Sequence, residues 1–275
     1  MTDLDPSTHK LSQVLGRYVF KDQIKCGLSN CHTWHAKGYI VKTESGQETN
    51  IGKDCGKTYF GVDFETLSKK FDRDITEQEN RQLLWSFTFQ LEELELKINE
   101  LRTSVSGADW VYKKTRPLVE RGRGCPDDVV RHILELLKSR SNLLSESREA
   151  TPQEIENLEG AQGKRLNRPH YLEIQIAEIR GLAALYPEYD LRLMLVVDLE
   201  QNLKSFRTKD IDTMTFEELR HWVKWIGTVD KTIENAVGSI SRGRELLRFD
   251  NLIAFEKILA KQDDKNAFRT YLKSL

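Results

Sequence analysis

Cys26-x4-Cys31-His32-x2-His35 and a following Cys55 place three of the four cysteines and two of the six histidines within about thirty residues. Thiolates and imidazoles at such spacing are the donor set of one tetrahedral Zn²⁺. The expected ligands are Cys26, Cys31, Cys55 and His35. His32 competes for the fourth position, but adjacent residues such as Cys31 and His32 rarely both reach one tetrahedral ion. Four protein ligands would close the coordination sphere and make the site structural, with no open position for a hydrolytic water.

A catalytic use of the same residues is a ββα-metal nuclease. That chemistry needs a general-base His before a hairpin, an Asn, and a metal-binding His on the following helix. His35 and Asn50 fit in part, but the segment after the hairpin carries Lys57 and Tyr59 and no His. The chain also lacks a P-loop, a GxGxxG, a GxSxG and an HExxH, so the common enzyme motifs are absent. Asp127, Asp128 and His132 read as an acidic first helical turn with an incidental His. Cys125 lies near Arg121 and Arg123, which could lower its pKa; an ordinary exposed thiol is the plainer reading.

The elements that must position the cysteines are legible around them. Residues 10–25 favour β structure, Tyr39-Ile40-Val41 is strand-like, Glu44-Ser45-Gly46 is a turn signal, and Glu48 to Ile51 returns. A short helix is expected to begin near Gly52 and to stop at Gly61. Knuckle, hairpin and a ligand at a helix start resemble a treble-clef or zinc-ribbon finger, a likeness of architecture over about forty residues.

From Val62 onward helical patterns dominate. Thr76-x2-Glu79 reads as a capping box, and Leu84, Phe87, Leu91, Leu94, Ile98, Leu101 and Val105 follow heptad spacing. The pattern predicts one coiled-coil-like helix over 76–105. Thr215-x2-Glu218 opens a second over 215–241, with Phe216, Leu219, Val223, Ile226, Ile233, Val237 and Ile240 as its seam and Asp230 in a polar slot. The two seams are expected to pair antiparallel within the chain, or to make a homo-oligomer. Between them, helices are expected from Pro126 to about Leu144 and from Thr151, with a loop over 159–169. Tyr171 to Leu185 and Leu191 to Phe206 are read as helices, although Leu172, Ile174 and Ile176 alternate as in a strand.

Composition bounds the rest. Apolar residues make up 39% and charged residues 31% of 275, with a mean hydropathy of -0.55, which fits a folded soluble protein rather than a disordered one. No apolar run is long enough to span a bilayer and the first residues do not form a secretory signal. Clustered cysteines without such a signal point to a reducing, cytoplasmic setting. Residues 1–61 carry eight Lys/Arg against six Asp/Glu, and the remainder 34 against 37, so nucleic-acid contact would depend on local patches. The candidates are Lys37, Lys42, Lys53 and Lys57, with Lys25, around the finger. A second patch comprises Lys113, Lys114 and Arg116, with Arg121 and Arg123 beyond and Trp110 and Tyr112 available for stacking. Smaller basic groups occur at Lys164, Arg165 and Arg168 and at Arg242, Arg244 and Arg248, where solvated helix ends are the plainer reading.

The sequence therefore predicts a mainly α protein. A small α+β zinc-binding module spans 1–61, and an elongated helical bundle or coiled-coil body spans 62–275. The expected function is a zinc-stabilised, non-enzymatic binding or adaptor protein associated with nucleic acid and with a protein partner. The alternatives are a protein-interaction scaffold and a metal-dependent nuclease.

Overall fold

The computed structural model describes residues 3–275. Three strands, β1 (Leu11–Lys25), β2 (Trp34–Thr43) and β3 (Glu48–Gly52), form an antiparallel sheet in chain order. Tyr39, Val41 and Thr43 alternate inward along β2, as a half-buried strand requires. The turn closes through Gly46 N–H to Thr43 C=O and Thr43 N–H to Gln47 C=O, both at 2.9 Å. β1 is irregular: Val19 pairs with Lys37 and the next paired residue is Ile24, opposite His35. Residues 20–23 therefore bulge out of the ladder.

Helix α1 (Lys53–Thr88) follows β3 directly. It breaks at Gly61 (φ 54°, ψ -128°), a conformation open to glycine and strained for other residues. The short first helix expected to stop there is present, and a longer one resumes at once. The expected cap at Thr76 is not one, because the helix is already running. Thr76 Oγ1 instead donates 2.8 Å to the Asp72 carbonyl one turn back.

The remaining elements are α2 (Leu91–Thr103), α3 (Ala108–Val119), α4 (Asp127–Ser139), β4 (Leu143–Glu149), α5 (Pro152–Gln162), β5 (Tyr171–Glu178), α6 (Gln201–Arg207), α7 (Phe216–Leu246), α8 (Phe249–Leu252) and α9 (Gln262–Lys273). A π-helical segment, Leu193–Glu200, runs into α6. The chain divides into two compact units. The first holds the described residues up to Ser86 together with Asp210–Val223; the second holds Phe87–Lys209 and Lys224–Leu275. The sheet module is thus part of a larger first unit than the segment 1–61.

Several helical expectations change. The single helix over 76–105 is two, since α1 ends at Thr88 and α2 begins at Leu91. Its seam is nevertheless inward: Leu84, Phe87, Leu91, Leu94 and Ile98 are buried, while Val105 is 93% exposed. In the second unit α2 packs on α3 and on the π-helical segment, and Phe87 sets its ring edge-on to Phe206 (5.7 Å) and Trp225 (5.9 Å). In α7 the buried stripe is Leu219, Trp222, Trp225, Val229, Ile233, Ala236 and Ile240. Val237 is 47% exposed and Asp230 faces solvent, so Asp230 is not a polar residue in a buried seam. The cap at Thr215 is made in full: its N–H and Oγ1 bond Glu218 Oε2 at 2.9 and 3.0 Å, and Glu218 N–H returns 3.3 Å to Oγ1.

Tyr171–Glu178 is a strand, not a helix. It pairs antiparallel with Leu143–Glu149, whose first two residues fall in the tail of the helix expected to run to about Leu144. That helix, α4, stops at Ser139 because Arg140 turns left-handed (φ 51°). Leu191–Phe206 is helical as expected. α5 runs to Gln162, four residues into the expected loop. The second unit closes around Leu118, Val129, Val130, Ile133, Leu246, Leu252, Phe255 and Phe268. No helix among the described residues is long and apolar enough to cross a membrane.

Candidate metal centre

Cys26 directly follows β1, Cys31 lies in the loop before β2, and Cys55 stands in the first turn of α1. The loop is strapped to the sheet by two buried residues of β3. Asn50 Nδ2 donates 2.7 Å to the Lys25 carbonyl and Thr49 Oγ1 donates 3.0 Å to the Gly27 carbonyl. Gly27 N–H reaches the Asn50 carbonyl at 2.8 Å. Leu4 closes over the loop, receiving Ser29 N–H at 3.0 Å and donating to Gly27 at 2.9 Å. Asn50 therefore acts as a strap between β3 and the cysteine loop.

These ties bring the three sulfurs within 4.8 Å of one another, with Cys31 Sγ 3.4 Å from Cys55 Sγ. Thiolates about 2.3 Å from a tetrahedral ion lie roughly 3.8 Å apart, so the triad has the right span for one metal ion. Cys26 and Cys55 also belong to the small apolar core of the module, with Leu28, Val41, Ile51 and Phe64.

The thiols differ electrostatically. Burial pushes the Cys55 thiol up to about 12, reinforced by its hydrogen bond to Cys31 and the charges of Cys26 and Cys31. Burial likewise raises Cys26, opposed by the backbone N–H groups of Leu28 and Gly52. Cys31 suffers the burial penalty too, but hydrogen bonds from the Thr33 hydroxyl and N–H and from its two thiol neighbours bring it down to about 7. One member of the triad is thus predisposed to be a thiolate, and a bound cation would draw the others to that state.

His35 stands outside this group. One ring nitrogen, Nε2, is 2.5 Å from the Tyr18 hydroxyl, and Nδ1 is 3.1 Å from the Thr33 carbonyl. His32 is exposed and left-handed (φ 52°). Tyr59, one turn after Cys55, donates its hydroxyl 3.2 Å to the Asn30 carbonyl beside Cys31. The three cysteines expected as ligands are brought together; the two histidines are not among the converging donors.

The basic candidates fare unequally. Lys37 and Lys53 are exposed, and neither forms an ion pair among the described residues. Lys42 pairs across the ladder with Glu48 at 3.6 Å, and Lys57 with Glu65 at 2.8 Å. In the second patch Lys114 donates to the Ser274 carbonyl, and Arg116 pairs with Glu120 at 2.9 Å and lies over the Tyr112 ring at 4.2 Å. Lys113 remains exposed, so this patch is largely committed to internal contacts. His132 Nδ1 lies 2.8 Å from the Asp128 carbonyl and Asp128 pairs with Arg131, the incidental arrangement. Cys125 is buried, not exposed, and burial raises its thiol to about 12.

Two residues that the cysteine pattern does not flag stand out on the sheet that carries the cysteine triad. Trp34, the register partner of Lys25, is 56% exposed and lies 5.4 Å from Lys25 Nζ. Phe20, in the β1 bulge, is 50% exposed and stacks on Tyr18 at 4.9 Å. The available signal was an aromatic ring in a strand flanked by lysines, in Phe20-Lys21 and in Trp34 opposite Lys25. The chain matches no protein-family model, and no curated protein or solved structure is similar to it.

Proposed function

We propose that the amino-terminal module is a zinc-stabilised, treble-clef-like unit that binds single-stranded nucleic acid without cleaving it. Zinc is the ion of choice because three thiolates are soft donors and tetrahedral spacing suits it. A core as small as this one benefits from a metal staple. The order of loop, hairpin and helix start supports the treble-clef reading.

The observation that carries the nucleic-acid reading is the pair of exposed rings with cations beside them: Trp34 with Lys25, and Phe20 next to Lys21. Bases stack on such rings regardless of sequence, while lysines contact phosphates. Lys37 and Lys53 add charge that is not tied up in ion pairs. Among the described residues no histidine converges with the three sulfurs, which favours binding over cleavage.

The test is anisotropy titration of labelled homopolymeric DNA and RNA strands over a salt series. Binding should be tighter than roughly 10⁻⁴ M at moderate salt. Trp34→Ala should weaken it by about 1–3 kcal/mol, the worth of one stacked base. Lys25→Glu with Lys37→Glu should flatten the salt dependence. Absence of binding, or binding indifferent to Trp34, would refute the proposal and leave a protein-docking surface.

A further inference from the structure

The second unit holds a cavity of about 460 Å³ between the end of β5, the turn that follows it and the last turns of α7. That volume is within the range of small-molecule pockets. Three guanidinium groups line it: Arg140, Arg180 and Arg242. Arg140 pairs with Glu188 at 2.8 Å and Arg180 with Asp250 at 3.1 Å. Arg242 has no such acid among the described residues. Its guanidinium lies over the Tyr189 ring at 4.4 Å, and its Nε is buried without a hydrogen-bond acceptor. A buried cationic donor left unsatisfied is costly, and it leaves the charge of Arg242 without a compensating acid.

The walls are fixed in place. Asn251, 5% exposed, accepts Arg180 N–H at 2.9 Å and donates to the Arg180 carbonyl at 3.0 Å and the Leu246 carbonyl at 3.1 Å. Gly181 (φ 72°) lies so close to α7 that a Cβ there would fall 2.2 Å from the Arg242 carbonyl oxygen. The chain thus presses the turn carrying Arg180 onto the helix carrying Arg242. Arg140 lies over the Tyr186 ring at 4.8 Å, giving the cavity a flat aromatic side.

We propose that this cavity binds a phosphate monoester of about nucleoside-monophosphate size. Arginine forks suit terminal phosphate oxygens, and more than one fork serves a group with three of them, whereas a carboxylate uses one. The ion pairs of Arg140 and Arg180 are on the surface, with side chains 66% and 50% exposed, and pairs of that kind exchange readily. Glu178 and Glu245 also line the cavity. Glu178 already accepts Asn142 Nδ2–H at 2.6 Å; the two carboxylates penalise each added phosphate charge, so the three guanidinium groups offset one phosphate better than several. The proposal uses residues of the second unit alone and stands apart from the nucleic-acid reading.

The experiment is isothermal titration of the full chain with inorganic phosphate, AMP and adenosine, and with one oligonucleotide carrying either a 5′-phosphate or a 5′-hydroxyl. AMP should bind and adenosine should not. Arg242→Gln should weaken AMP by at least about tenfold. Should that variant fail to fold, Arg180→Gln and Arg140→Gln, both at the exposed rim, should each weaken it several-fold. Preference for the 5′-phosphorylated oligonucleotide over AMP would support the site and identify a strand end as the source of the phosphate. No binding of phosphate, AMP or the phosphorylated strand at millimolar concentration would overturn the proposal, as would affinity unchanged in the rim variants.

Discussion

Removing the side chain of Asn251 should cost the second unit about 2–4 kcal/mol. Its Oδ1 is the acceptor for Arg180 N–H, and its Nδ2 serves the carbonyls of Arg180 and Leu246, with that of Glu245 at 3.4 Å. Asn251→Ala deletes all of these at a position 5% exposed. Stranding the part-buried Arg180 N–H costs about 1–3 kcal/mol. The Leu246 carbonyl lies in the last turn of α7, where the helix itself offers no donor, so it loses its cap as well, while the Glu245 carbonyl keeps the Arg248 N–H at 3.3 Å. Carbonyls tolerate this better than an N–H, which keeps their share to about 1 kcal/mol. Against a typical domain stability of about 5–15 kcal/mol the loss is large. Urea unfolding measures it, and amide exchange of 179–182 and 245–252 locates it. The two units need not unfold together, so exchange in β1 provides the internal control. Asn251→Asp retains the acceptor but sets a carboxylate against three carbonyls. It should also destabilise, with a deficit that shrinks in acid as the new carboxyl gains a proton to donate. A loss in Asn251→Ala below about 0.5 kcal/mol, the range of ordinary surface changes, would show that the clamp does not hold these segments together.

Purified protein should carry about one zinc per chain. Cys26→Ser or Cys55→Ser should lose it and loosen the sheet module while helical circular dichroism largely persists; His35→Ala should keep it, as metal analysis will show. Ile98→Ala, at a fully buried site, should cost about 2–5 kcal/mol, whereas Asp230→Leu, on the solvent side of α7, should stay within about 0.5 kcal/mol, both by chemical denaturation. The carboxyl of Glu154 is held down to about 2, first by Arg148 and then by the Thr151 N–H and hydroxyl of its capping box. A depressed carboxyl stabilises above its unfolded pKa and loses that contribution as pH falls to the folded one. The start of α5 should therefore fray between about pH 4.5 and 2, visible as faster amide exchange at residues 152–155, and Glu154→Gln should abolish the pH dependence.

What could be read from the sequence was what neighbouring residues decide among themselves. Cysteine type and spacing identified the triad, and the Glu44-Ser45-Gly46 turn fixed the hairpin that presents it. The fourth donor was not legible in the same way. His35 lies next to the knuckle in sequence, but β2 turns its ring toward Tyr18, a residue of β1, and that pairing is set by the sheet register. The capping motif shows the same limit. Thr215 and Thr151 cap helices because the chain before them is not helical. Thr76 has the same Thr-x2-Glu spacing and caps nothing, because α1 reaches it from upstream.

The second heptad and the missed hairpin have a common cause. A seam built from branched aliphatics put Val223, Val237 and Asp230 on the inner face. The helix instead buries Trp222, Trp225, Val229 and Ala236. Part of what fixes that rotation lies on another element: Asp198, in the π-helical segment, accepts Trp225 Nε1–H at 3.1 Å and the Thr232 hydroxyl at 3.3 Å. Neither periodicity nor propensity contains that partner. For Tyr171–Glu178 the alternation of Leu172, Ile174 and Ile176 was visible, yet only Ile176 packs against the core of the second unit. Strand pairing with Leu143–Glu149 settles its conformation, and that partner is itself polar and follows a strong helix. A strand with little apolar surface to bury owes its form to its ladder. Its identity could be recognised only once the left-handed Arg140 had ended α4 and freed the following residues to pair.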